Sequence, residues 1–391
     1  MRFPLAALFQ LRGALAIVAV MAFVSSLGIG VMLPIIPLYA ISLGATPRDL
    51  GLLTTAFTLA NTASQLAMGF ILDRLDVRVP LRAGIATYAG ANVLISTATS
   101  VTSLATFRAI AGLGAGANLL ADRVYISLIA DPTRLAFVNG VLASANSSGQ
   151  LFGPAIGGAL AQVADLRAPF IVVGITSGIA FLASLTLPRA ERRPPPAGAV
   201  SSRVFTRETV VLLFANTVTF LGFGGFITTF APLTTTQLGW STAEVGIVFS
   251  IFGAGSIALG PTLGALADRR GRRFVGSWST LPLLAFGAGF ALGLPRPVLY
   301  LLSFAAGGSL AGFGAAWFAL LTEAAPEARR GRTFGVINAL ASLGTIVGAN
   351  GSAIVWDLYG LPAALASVAA VASLGGPLLL LLRPRPAPAL I

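Results

Sequence analysis

The chain contains no cysteine, no histidine and no lysine. Without cysteine there are no disulfides and no thiol chemistry. The joint absence of cysteine and histidine removes the usual zinc sites. Histidine is also the side chain that titrates most readily near neutral pH, so any proton transfer falls to carboxylates. Carboxylates are scarce as well: 13 Asp and Glu in 391 residues, with charged residues of both signs at 10%. A soluble domain carries roughly 25% charged residues, so this chain lacks the material for a polar skin. There is no GxxxxGK[ST] loop, hence no indication of direct ATP use. No metal and no cofactor is expected.

What the chain has in quantity is apolar side chains, 56% of all residues, with a mean hydropathy of +0.88. A span needs about 20 apolar residues. Runs of that order lie near 14–42, 48–72, 80–100, 103–129, 137–163 and 168–187, and again near 208–237, 243–266, 274–294, 298–322, 333–355 and 361–382. The reading is an all-α membrane protein with twelve transmembrane helices. Soluble solenoids carry a polar face at every repeat, which is not the pattern here. The first run is too long for a signal-peptide core and lacks a convincing cleavage site, so it is expected to be a helix of the protein.

The net charge is +12. Its arginines sit in short clusters between apolar runs without interleaved aromatics, which argues against nucleic acid. Twenty of the 25 basic residues fall in segments that share one side if both termini are cytoplasmic; only Arg48, Arg167 and Arg296 fall on the other. The positive-inside rule then places both termini in the cytoplasm. The stretch "PRAERRPPPAGAVSSRVFTRE" reads as a linker, since its proline run favours extended chain. It divides the chain into an N-terminal six-helix bundle (1–187), a cytoplasmic linker (188–208) and a C-terminal six-helix bundle (209–391).

The halves resemble each other. "GFILDRLDVR" (69–78) and "GALADRRGRR" (264–273) lie 195 residues apart, and the same offset pairs Gly30 with Gly225, Gly44 with Gly239, Gly112 with Gly307, Gly149 with Gly344 and Gly153 with Gly348. Glycines are placed for geometric reasons, so these matches exceed shared hydrophobicity. Two parallel six-helix repeats, related by an axis along the membrane normal, are a transporter architecture.

These features together resemble the major facilitator superfamily. The family's loop pattern after the second helix of each half is complete in the second repeat, at Gly264, Leu266, Ala267, Asp268, Arg269, Gly271, Arg272 and Arg273. In the first repeat only Gly69, Asp73, Arg74 and Arg78 match, with Asp76 where the second glycine stands and Val77 for an arginine. "RAIAGLGAGA" (108–117) is similar to the family's fourth-helix pattern. "GQLFGPAIGG" (149–158), with Gly149, Gly153, Pro154, Gly157 and Gly158, is similar to the fifth-helix pattern of drug–proton antiporters. The resemblance implies two pseudo-symmetric bundles and a conformational latch at the charged loops. For the latch, Asp131 at the end of the fourth span is a further candidate partner. A plain topology anchor is the alternative reading of these arginines.

Glycines every four residues line one helix face and let a neighbouring backbone approach, and Pro154 can bend the helix. Tight static packing and a rocking surface both fit. Proton-coupling candidates lie on the fourth span, which carries Arg108, Asp122 and Arg123; charges at membrane depth normally face a bundle interior or a wet cavity. Arg108 and Asp122, 14 residues apart, share a helix face about 21 Å apart. A buried carboxylate has its pKa raised towards neutrality, as a proton carrier requires, so Asp122 leads. Permanent pairing with a loop arginine is the alternative. The first span offers no acid, unlike that of many drug–proton antiporters. Glu323 is expected to meet Arg329, Arg330 or Arg332. Asn61, Gln65, Asn118, Asn146, Gln150, Asn216 and Asn338 are cavity candidates, with helix–helix hydrogen bonding the commoner fate of such residues.

The expected function is secondary active transport across a bacterial inner membrane. A monomer would export a lipophilic or cationic small molecule against protons by alternating access; an enzyme is not expected. A metabolite symporter or facilitator, a lipid translocator and a non-transporting scaffold are the competing readings.

Overall fold

The computed structural model describes residues 5–72, 74–129, 135–189, 205–325 and 330–382. The described residues are helical throughout, with no strand among them. In chain order the helices of the first half are α1 (Leu5–Met32), α2 (Ile35–Ser42), α3 (Pro47–Ile71), α4 (Arg78–Ser96), α5 (Val101–Ile129), α6 (Leu135–Val163) and α7 (Ala168–Ser184). The second half contributes α8 (Arg207–Thr236), α9 (Thr242–Arg270), α10 (Arg272–Ser279), α11 (Pro282–Ala291), α12 (Arg296–Ala324), α13 (Arg330–Tyr359) and α14 (Leu361–Ser373), then a short 3-10 turn, Pro377–Leu381.

Most apolar runs became single helices. Three did not: the first breaks between α1 and α2 at Pro34, the ninth between α10 and α11 just before Pro282, and the last between α14 and the 3-10 turn that starts at Pro377. Proline lacks the amide proton that would continue the ladder, which accounts for all three breaks. Pro154 and Pro232, by contrast, lie within uninterrupted helices. Among the described residues, eight helical stretches are long and apolar enough to cross a membrane, and Ala168–Ser184 is apolar but shorter. That number is below the twelve expected, although the all-helical membrane class stands.

The chain divides into two compact units. One comprises residues 1–45, 56–195 and 241–247, the other residues 46–55, 196–240 and 248–391. In the first unit α1 packs on α6, and α4 packs on both α5 and α7. Val18, Met21, Leu81, Ile85 and Tyr125 form one of its cores. In the second unit α8 packs on α13 and α14, and α11 on α12 and α14. Its corresponding core holds Leu212, Phe313, Trp317 and Ile337, with the Trp317 indole donating to the Leu212 carbonyl at 2.8 Å. Large side chains such as Ile175, Ile179 and Leu182 on α7 and Leu301 on α12 stand exposed, as befits helices whose outer solvent is lipid.

The sequence repeat is also a structural one. Gly44 and Gly239, an offset pair, end the first helical stretch of each half with φ of +85° and +66°. Only glycine adopts that conformation without strain. The equivalence fails at the charged loop. Gly271 has φ of +99°, whereas no non-glycine residue, Asp76 included, has positive φ among the described residues. The first loop therefore follows a different backbone path, one open to aspartate.

Candidate functional site

In the first unit α5 is wedged against α3 and α4 at backbone distance. A Cβ built on Gly114 would lie 2.6 Å from the Tyr88 nitrogen, and one on Gly84 2.6 Å from the Asn118 nitrogen. On the other flank, a Cβ on Gly112 or Gly116 would strike the carbonyls of Phe57 or Asn61. This closeness brings Arg108 over the ring of Phe57, with its guanidinium carbon 4.2 Å from the ring centroid. Its Nε is buried and makes no hydrogen bond to any described residue, and the buried Tyr88 hydroxyl donates to none. Arg108 and that hydroxyl lie within electrostatic range of each other, with Asn92 beside Tyr88.

Asp122 is half-buried on the same helix, between the buried Ala121 and Tyr125. The helix is continuous from Arg108 to Asp122, so the two stay about 21 Å apart and form no joint site. The side chain of Arg123 lies outside the described residues.

The glycines of α6 face α1. A Cβ on Gly149 would lie 2.6 Å from the Phe23 carbonyl oxygen, one on Gly153 2.6 Å from that of Leu27, and one on Gly157 would collide with that of Val31. Gly158 closes instead on Thr242, whose hydroxyl donates to the Gly158 carbonyl at 3.0 Å. The second unit repeats the ladder, with Gly344 and Gly348 against the Thr217 and Leu221 carbonyls.

At the opposite ends of these helices lie the charged loops. Asp73 and Asp131 fall outside the described residues; Gly69 sits in the last turns of α3, and Arg74 is exposed. The acid at the centre of the described cluster is Asp76, the residue that departs from the family pattern. It pairs with Arg78 at 2.8 Å and Arg189 at 3.7 Å. Arg78 also donates to the Leu187 carbonyl at 3.3 Å, and Arg82 to the Ser184 carbonyl at 3.2 Å. Cations thus sit on carbonyls at and just beyond the end of α7, where the helix dipole favours them. In the second unit Arg273, the offset partner of Arg78, donates likewise to the Leu380 carbonyl. Arg272 bridges Asp268, at 2.8 Å, and Glu323, tying α9 to α12. Glu323 therefore meets Arg272, while the side chains of Arg329, Arg330 and Arg332 lie outside the described residues. Arg269 and Arg270 are exposed, and Gly264 leaves room for a Cβ, its nearest neighbour being Ala315 at 3.8 Å.

The hydrogen bond from Arg78, and then its charge, hold the Asp76 carboxyl down at about 2, against burial. A depressed carboxylate pKa stabilises the fold above the unfolded value, near 4, and that stability is lost as pH falls towards 2. The first unit should therefore lose about 2 kcal/mol across this window. Asp76→Asn should flatten that part of a stability-versus-pH curve measured by thermal melting.

The polar residues within helices mostly bond to neighbours. Ser26 donates to Asn146 Oδ1 at 2.6 Å, Asn118 to Ser25 at 3.3 Å, Gln65 to Asn61 at 2.6 Å and Asn61 to the Gly112 carbonyl at 3.4 Å. Asn216 is buried, Asn338 half-buried and Gln150 exposed.

Phenylalanine is frequent, at 25 residues, and an aromatic cavity would suit a lipophilic molecule, but the sequence does not say which rings come together. In the second unit Phe226 meets Phe230 at 4.8 Å, Phe249 at 5.2 Å, Phe286 at 5.7 Å and Phe252 at 6.5 Å between ring centroids. Phe230, Phe286 and Phe290 are buried beneath, while Phe226, Phe249 and Phe252 remain partly exposed. The cluster occupies the end of the unit opposite to Arg272. A signal existed, since Phe226 and Phe230 on α8, like Phe286 and Phe290 on α11, stand four apart and share a helix face.

Comparison with known proteins places this architecture. Staphylococcus aureus NorA, a quinolone resistance protein, is 27% identical over 245 residues, which is 59% of this chain and 62% of NorA. The chain thus matches less than two thirds of that relative's length. Among solved structures, a variant of the nucleoside transporter NupG superposes with a TM-score of 0.80 at 14% identity, covering 94% of this chain and 99% of that one. A bacterial homologue of the human lysosomal transporter Spinster superposes with a TM-score of 0.74 at 16% identity, covering 96% and 95%. At such identities the superpositions speak for the fold alone. The Major Facilitator Superfamily model matches residues 18–213 and again 212–390, and the chain belongs to that family of transporters.

Proposed function

We propose that the chain is a proton-coupled exporter of lipophilic small molecules in a bacterial inner membrane. In this reading it works as a monomer by alternating access, with twelve spans and both termini cytoplasmic. Residues 1–187 and 209–391 are the two bundles and 188–208 is their linker. Asp122 carries the proton, and the loop clusters around Arg78 and Arg272 hold the cytoplasmic ends of their helices together through the cycle. The likeness to a quinolone resistance protein supports the drug-efflux branch, as does the α6 glycine pattern.

The observation that carries the reading is the phenylalanine layer of the second unit. Partly exposed rings over a fixed ring floor offer a lipophilic molecule area and stacking without polar demands, and each aromatic pair is worth about 0.5–1.5 kcal/mol beyond burial. Dye accumulation in a pump-deficient host should fall when the chain is expressed. Phe226→Ala should raise the apparent KM for planar aromatic dyes about tenfold. Phe214→Ala, at a ring 60% exposed on the same helix, should change little. A host whose accumulation of every lipophilic dye is unaffected by the chain would overturn the reading.

A further inference from the structure

We propose that Arg108 is the docking point for an anionic group of the substrate, so that the exported molecules are amphipathic anions, aromatic carboxylates in particular. The inference rests on the efflux reading above and narrows its substrate class.

A guanidinium remains charged in any protein setting, and placing one within a membrane bundle normally calls for a counter-charge. No described carboxylate forms an ion pair with Arg108. Asp122 lies about 21 Å away along the same rigid helix, too far to serve. Phe57 covers one face of the guanidinium at 4.2 Å. A stacked guanidinium keeps its in-plane N–H groups free, and that fork is the geometry that grips a carboxylate with two parallel hydrogen bonds.

The surroundings add a second donor. Tyr88 is only 5% exposed, and its hydroxyl donates to no described residue, Asn92 approaching it only as a donor. A buried hydroxyl left so is costly unless something arrives to accept from it. Cation, stacked ring and waiting hydroxyl are contributed by α5, α3 and α4, held at fixed spacing by Gly112 and Gly114. Such a set complements an anion attached to a flat apolar body, and it repels an organic cation.

The test uses the full chain in nanodiscs with three probes sharing one ring: 2-naphthoate, its methyl ester and 2-naphthylmethylammonium, with empty discs as reference. Naphthoate should bind at least about tenfold more tightly than the ester or the ammonium. Arg108→Gln should remove that preference and Arg108→Lys should keep most of it. Equal binding of naphthoate and ester, no naphthoate binding, or an equal loss of all three probes in Arg108→Gln would overturn the proposal. If Arg108→Gln does not fold, the wild-type ranking of the three probes decides alone. In proteoliposomes, exchanging an anion for a proton moves two charges, so an inside-negative potential should accelerate naphthoate export more than that of a neutral dye. Export of a neutral dye without naphthoate preference would defeat this inference and leave the efflux reading standing. Absence of any dye export would defeat the efflux reading itself.

Discussion

Gly153→Val is expected to leave little folded protein. The new side chain would start 2.6 Å from the Leu27 carbonyl oxygen and 2.9 Å from the Gly30 Cα. Both obstacles are backbone of α1, so no side chain can rotate away, and α1 and α6 must move apart. Overpacking a close-packed interior costs about 1–3 kcal/mol, and this site belongs at or above the upper end. Against a total stability of about 5–15 kcal/mol, the variant should melt on the order of 10 °C lower or fail to accumulate. Gly178→Val is the matched control, because a Cβ at Gly178 meets nothing within 4 Å. Detergent-solubilised yield and melting temperature, compared between the two, decide the matter. Equal behaviour would mean that the ladder is not a packing device.

Asp122→Asn should abolish uphill export while leaving downhill exchange of the same substrate. Among the described carboxylates, Asp122 lies deepest within a helix. Asp49, Glu208 and Glu244 occupy first turns, and Asp76, Asp165, Asp268, Glu323 and Asp357 lie in loops or final turns. One proton moving inward supplies about 2.3 kcal/mol per 100 mV and about 1.4 kcal/mol per pH unit. With 100 mV and one pH unit together, a neutral substrate can be concentrated about 500-fold. The variant should reach no gradient, since asparagine carries no proton. Retained uphill export under an imposed pH gradient would remove Asp122 from the coupling role.

The class of fold was plain in the apolar runs because lipid demands continuous hydrophobicity, a signal that composition cannot hide. The helix breaks at Pro34 and before Pro282 were written in the same residues, yet run length alone passes over them. The 195-residue offset found packing that recurs in three dimensions: Gly112 rests on the Phe57 carbonyl and Gly307 on that of Phe252, and those phenylalanines are themselves an offset pair. Asp76 was read as a flaw in a motif. It is instead the acid that joins Arg78 and Arg189, because a loop without a positive-φ residue can present a carboxylate where the other repeat requires glycine. Arg108 was visible as a lone charge. Its ring partner was not, since stacking between α3 and α5 depends on how closely the glycines admit them. The phenylalanine layer was least legible, because its members come from three helices and only their assembly reveals which rings turn towards one another.

The glycine ladders bear on motion as well as on stability. Where α6 meets α1, and α13 meets α8, the glycines face mainly backbone carbonyls, so few rotamers stand between the helices at those points. Such a seam has low corrugation: a small axial shift trades one carbonyl contact for the next without unpacking a side chain. The phenylalanine layer is the opposite kind of joint, with rings interlocked at fixed angles. Each bundle therefore contains lubricated tracks, and the second bundle also carries a gripping plate. The barrier to deformation within a bundle should be lowest along the glycine seams, and their friction is set by backbone dipoles rather than by side-chain shape.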